Sequence, residues 1–132
     1  MLPNFHRQQY LEFSERIQHL YSQARASNLD LASFRQQVAG LQQFFRQQIL
    51  PLSEEDIEET YASRVRSIRT EMNKQMRLLE MDVTFLRSAK QTATTQARLL
   101  AICDRLQTLI QYSQVILPTP TSESPGEGGS QQ

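Results

Sequence analysis

The sequence predicts an all-α protein: an antiparallel bundle of four helices with an overlong third helix and a disordered C-terminal tail. Two observations carry this. From Leu52 to Leu117 the chain contains neither glycine nor proline, and the stretch is rich in Arg, Gln, Glu, Leu and Met, which favour helix. On either side of Pro51, apolar residues recur three and four positions apart, the period of a helix with one buried face. A chain of 132 residues has room for one domain with one core. Residues 1–117 are expected to form that helical domain and residues 118–132 the tail.

Asn4 is a candidate cap for a first helix running to about Ser27, with Tyr10, Phe13, Ile17, Leu20, Tyr21 and Ala24 on its apolar side. After the turn at Asn28, Leu29 and Asp30, a second helix carries Leu31, Phe34, Val38, Leu41, Phe45 and Ile49 on one side, with Asp30 as its cap. Gly40 weakens this helix slightly. Pro51 lacks an amide hydrogen and crowds the carbonyl four residues back, so the helix ends or kinks near Leu50.

Ser53 followed by Glu54, Glu55 and Asp56 has the cap-and-acid pattern of a helix start, and negative charge suits the positive end of the helix dipole. The third helix is therefore expected to run unbroken over residues 54–90, about 55 Å at about 1.5 Å per residue. Its main stripe is Ile57, Tyr61, Val65, Ile68, Met72, Met76, Leu79, Val83 and Leu86. A second stripe of Leu78, Phe85 and Ala89 opens past the midpoint, so the far half should be the more fully buried. Gln91 to Thr95 has no apolar period and reads as a linker, in which a threonine can cap the fourth helix. That helix presents Leu99, Ile102, Cys103, Leu106, Leu109, Ile110 and Ile116, and Pro118 stops it.

Short connections favour antiparallel neighbours, so the fourth helix should fold back over the third from about Lys90 to about Ile68. The near half of the third helix would then lean on the second helix, on a second copy of the chain or on a partner. Beyond Leu117 the sequence is Pro, Thr, Ser, Glu, Gly and Gln only, too little apolar surface to offset the entropy of ordering.

Composition narrows the function. Lys plus Arg equals Asp plus Glu at 14 each, for a formal net charge of zero, which argues against non-specific binding to nucleic acid or anionic membranes. A single cysteine cannot form an internal disulfide, so a cytoplasmic setting is the default. No run approaches the about 18 apolar residues of a membrane span, and the polar first twenty positions do not read as a secretory signal.

Metal-carboxylate bundles need inward-facing Glu-x-x-His motifs. This chain has only His6 and His19, both in the first helix, and no such motif. Cys103 sits among leucines on an apolar face and reads as a core thiol rather than a nucleophile, which needs an electropositive, partly exposed setting. A Gly-rich phosphate loop is absent too. No catalytic, cofactor or metal residue is assigned, and the expected class is a binding or regulatory protein, not an enzyme.

Two polar groups stand out. Asp82 lies in the wider apolar arc of the third helix and needs a partner if buried; Arg105 and Arg98 on the fourth helix are the candidates, forming a structural pair that fixes register. Arg66, Arg69, Asn73 and Arg77 recur at i, i+3, i+7 and i+11 with Lys74 at their edge, a basic strip off the main stripe. Such a strip is either a solvated face or a docking site for an acidic surface, since arginine donates two hydrogen bonds to one carboxylate.

The stretch Asn73-Lys74-Gln75-Met76-Arg77-Leu78-Leu79, then Met81-Asp82-Val83 and Phe85-Leu86, with Asp104-Arg105-Leu106 and Leu109-Ile110-Gln111-Tyr112, resembles the cyanobacterial heterocyst frequency control protein PatD family. The likeness covers the third and fourth helices well and the first two loosely, through Tyr10, Phe13 and the glutamine-rich segment Gln42 to Gln48. It does not extend to the tail, and Thr92 stands where that family is expected to have proline. The resemblance implies a small cytoplasmic cyanobacterial regulator of heterocyst differentiation and cell division, acting through protein–protein interaction on the tubulin-like protein FtsZ. The other reading of the residues is a self-associating helical structural or adaptor protein, a homo-oligomer with no dedicated division role.

Overall fold

A computed structural model describes residues 2–55 and 57–117; the expected disordered tail lies outside them. The described residues form four helices and no strand: α1 Asn4–Ala24, α2 Leu31–Phe44, α3 Glu59–Ser88 and α4 Thr92–Ile116. Pro3, not Asn4, stands at the entry to α1. Its carbonyl accepts the Arg7 amide at 3.0 Å, and Asn4 is already helical with no side-chain cap. Proline is suited to a helix start because an amide there has no intrahelical partner to lose. At α2 the expected cap forms: Asp30 Oδ1 accepts the Ser33 amide at 3.3 Å.

The end of α2 widens. Phe45–Ile49 is a π-helical turn, with the Leu50 amide donating to the Phe45 carbonyl at 3.0 Å. In an α-helix four residues overshoot a turn of about 3.6, so a stripe spaced in fours drifts sideways. The wider i to i+5 turn absorbs the excess and keeps Phe45 and Ile49 both pointing inward, 1% and 0% exposed. Phe13 of α1 meets this turn, its ring 5.3 Å from Phe45 and 6.4 Å from Phe44. Pro51 then ends the helix.

The third helix departs from expectation at both ends. It starts at Glu59 instead of Glu54 and stops at Ser88, 30 residues against 25 for α4. Residues 50–55 and 57–58 belong to neither helix, and there Ser53 Oγ accepts the Glu55 amide at 3.1 Å, closing a local turn in place of a cap. The overhang shrinks correspondingly. Residues 92–95, expected as linker, already belong to α4, and at the other end the Tyr61 hydroxyl donates to the Ile116 carbonyl at 3.1 Å. The fourth helix therefore covers α3 almost to its start, well past Ile68.

Packing follows the stripes. Tyr10, Phe13, Ile17, Phe34, Met72, Met76, Leu79, Ile102 and Leu106 are all essentially sealed from water, each such side chain contributing roughly 1.5 to 3 kcal/mol by burial. The fourth helix packs against both α1 and α3, α2 packs on α1, and α2 touches α3 only lightly. The second stripe on α3 is not core: Phe85 is 44% exposed, while Leu78 and Ala89 are half-buried. Arg98, a candidate partner for Asp82, instead lays its guanidinium over the Phe85 ring at 4.6 Å, an exposed cation–π contact.

Thr70 sits mid-α3, solvent-facing, its hydroxyl donating to the Arg66 carbonyl. T70P would delete the amide at that position and crowd the same carbonyl, so it should cost about 3 kcal/mol or more. Urea denaturation checks this, and an unchanged midpoint would contradict a continuous α3.

Candidate docking surface

The basic strip divides under the tertiary structure. Arg69 is 8% exposed, and its Nη1 donates to the Leu50 carbonyl at 3.3 Å and the Leu52 carbonyl at 3.1 Å. It is not part of an outward face. Those carbonyls are free because Pro51 has ended α2, and a helix end leaves its last carbonyls without intrahelical donors. Glu54 folds back onto the same place: its Oε1 accepts from Arg66 Nε and Nη2 at 2.9 and 2.7 Å, and its Oε2 lies 3.5 Å from Arg69 Nη2. The hydrogen bond from Arg66 and the charges of both arginines hold the Glu54 carboxyl below its ordinary range, against the opposing effect of desolvation. Glu54 thus serves as an ion-pair partner in the connecting segment, five residues before α3 begins at Glu59.

Beneath the arginine lies Tyr10 of α1. Burial pushes its hydroxyl pKa up, and the Arg69 guanidinium pulls part of the way back. The remaining members of the strip face outward: Lys74 and Arg77 are exposed and Asn73 is half-buried. Neither Lys74 nor Arg77 has an ion-pair partner among the described residues.

Asp82 and Arg105 meet. Arg105 Nε donates to Asp82 Oδ2 at 3.0 Å, with the carboxylate side chain 8% exposed and the arginine 33% exposed, tying α3 to α4. Cys103 is half-buried at the margin of the core instead of sealed within it. Burial still raises its thiol pKa, with Arg25 opposing and Asp104 reinforcing. His6 is buried on the α1 stripe and His19 is exposed. Among the described residues no three His, Cys, Asp or Glu side chains are grouped as a metal site would require, and no helix is long and apolar enough to cross a membrane.

Two further features were not foreseen. Gln42 is buried and its Nε2 donates to the Met76 carbonyl at 2.8 Å, joining α2 to the middle of α3. Beside it, α2 and α3 part to leave a groove of about 520 Å³ that includes Arg35, Arg46, Glu80 and Arg87 among its lining residues. Arg35, Ala39, Gln42 and Arg46 recur at i, i+4, i+7 and i+11, so the signal was present in the sequence. In comparison with known proteins, the chain matches no family model, no curated protein and no solved structure.

Two outcomes follow from this geometry. R69M removes a buried guanidinium that satisfies two carbonyls, and should cost roughly 2 to 3 kcal/mol; R66M, at an exposed pair, should cost clearly less. Chemical denaturation of the two variants side by side decides it, and equal losses would place Arg69 at the surface. Cys103 should react with a thiol reagent several-fold more slowly in the native than in the urea-unfolded protein, and equal rates would mean that its cover is missing.

Proposed function

We propose that the protein is a non-enzymatic, PatD-like regulator of heterocyst frequency and cell division that works by docking a protein partner, with FtsZ as that partner. The observation that carries this reading is the exposure of Lys74 and Arg77 on α3 without ion-pair partners among the described residues. Arg66 and Arg69 are occupied with Glu54 and the end of α2, so Lys74 and Arg77 are the part of the strip able to act outward. An acidic partner would supply the missing counter-charges, and a rigid helical frame spares the entropy of ordering the surface on binding.

The segments that resemble the PatD family support the same reading. They contain Met76, Leu79, Leu106 and Leu109, which are core, and the Asp82–Arg105 pair, so they describe the frame that presents these residues. The cytoplasmic setting belongs to this proposal as well.

Co-sedimentation with assembled FtsZ tests it. The wild-type protein should pellet with the polymer at low salt and progressively less as salt rises, because exposed charges are screened over about 8 Å at physiological ionic strength. K74E/R77E should pellet several-fold less while keeping its far-ultraviolet helicity. Wild-type protein left in the supernatant at low salt would reject FtsZ as the partner.

A further inference from the structure

The seam between α2 and α3 is held at one end and open at the other. Arg69 reaches the Leu50 carbonyl and Gln42 the Met76 carbonyl, so stepping back along α2 moves forward along α3 and the two helices are antiparallel. Continued beyond Gln42, that register brings Arg35 towards the part of α3 that carries Arg87. There the helices are no longer bridged, and both residues line the open groove.

Its chemistry is mixed in a particular way. Half-buried Val83 and exposed Ala32 and Ala39 give it apolar surface, with Val38 sealed behind them, while Arg35 stands on α2, Arg46 on the π-helical turn that continues it and Arg87 on the α3 wall. Glu80 is the one carboxylate among the lining residues. None of the three arginines has an ion-pair partner among the described residues. In a chain of zero net charge, this is a local basic excess placed around apolar surface.

We propose that the α2–α3 groove binds an acidic amphipathic segment of a partner protein, its apolar side against Ala39 and Val83 and its carboxylates on Arg35, Arg46 and Arg87. The proposal rests on the reading that this protein acts by docking an acidic partner, and it adds a second contact surface to Lys74 and Arg77. Charge complementarity selects the occupant: guanidinium pairs with carboxylate through two parallel hydrogen bonds, and a helix laid in a groove uses its apolar face for affinity. Arg35 and Arg46 lie about 16 Å apart along the helix axis at about 1.5 Å per residue, so the segment needs carboxylates about three turns apart. A phosphate backbone would meet Glu80 and leave Ala39 and Val83 uncovered. The chain's own residues 118–132 offer Glu123 and Glu127 but, besides three prolines, no large apolar side chain to set on Ala39 and Val83.

The test uses the full-length protein and a fluorescein-labelled synthetic helical peptide with leucines down one side and glutamates flanking them, beside the same peptide with glutamine for glutamate. Fluorescence anisotropy should show the glutamate peptide bound about tenfold more tightly, with binding weakening between about 50 and about 300 mM salt. R35E/R46E/R87E should lose at least about tenfold in affinity, and R35Q/R46Q/R87Q, a milder change that guards against misfolding, should lose several-fold. R7E/R25E/R64E, the same charge change elsewhere, should stay within about twofold.

Equal binding of the two peptides by the wild-type protein overturns the groove, as does full binding by the folded groove variants. So does displacement of the peptide by a DNA duplex, which would make the arginines a nucleic-acid site. A gain in affinity on truncation after Leu117, or a dimer that the groove reversal dissolves, would assign the groove to the chain itself. Loss of peptide binding in K74E/R77E with retention in the groove variants moves the site to the outer face of α3 and leaves the docking reading standing. Peptide bound in the groove by a protein that fails to pellet with FtsZ does the reverse, keeping the groove and removing FtsZ.

Discussion

A guanidinium taken out of water has to be met by oxygen, and at Arg69 the oxygens come from the far side of a chain reversal. The residue is 8% exposed and donates to the carbonyls of Leu50 and Leu52, which lack helical donors because Pro51 has stopped α2. Glu54, directly bonded to Arg66, adds its charge from the same segment at 3.5 Å from Arg69 Nη2, although Arg69 Nε and Nη2 make no hydrogen bond. The connection between α2 and α3 is therefore a fixed strap. It ties the start of α3 to the end of α2.

The seam between these two helices is open only away from that connection. Near the strap, α2 and α3 are joined through Arg69, and one stretch further on through Gln42 and the Met76 carbonyl. The π-helical turn Phe45–Ile49 keeps the end of α2 facing α1, where Phe13 packs on Phe45. With its apolar side given to α1, the N-terminal part of α2 has little to bring to α3, and arginines line the space between them. The side of α3 toward α4 behaves differently, because Asp82 and Arg105, Tyr61 and the Ile116 carbonyl, and Arg98 over Phe85 bridge it along its length. One seam of the bundle is thus closed and the other left partly open.

The number and order of the helices were legible from the residues alone, as were most of the core positions. Periodicity alone placed Phe13, Ile17, Phe34, Val38, Met72, Met76, Leu79, Ile102 and Leu106 inside, since a helix without breakers has no other way to bury its apolar residues. Local chemistry settled the cap at Asp30 and the end of α2 before Pro51, because both depend on neighbours only a few residues away. Asp82 was recognisable as a carboxylate needing a partner for the same kind of reason: its apolar surroundings could be read from spacing.

Tertiary structure decided what spacing leaves ambiguous. Arg66 and Arg69 occupy one strip by sequence, yet one is exposed and the other buried, because the oxygens that bury Arg69 belong to residues far along the chain and are released only by a helix end. Phe85 looks like core by composition and lies at the surface, since α4 passes to one side of it and offers only Arg98. A helical wheel gives the direction of a side chain from its own axis. Which neighbour stands in that direction, and whether it closes on α3 as α4 does or stands off as α2 does, is set by the packing of all four helices together.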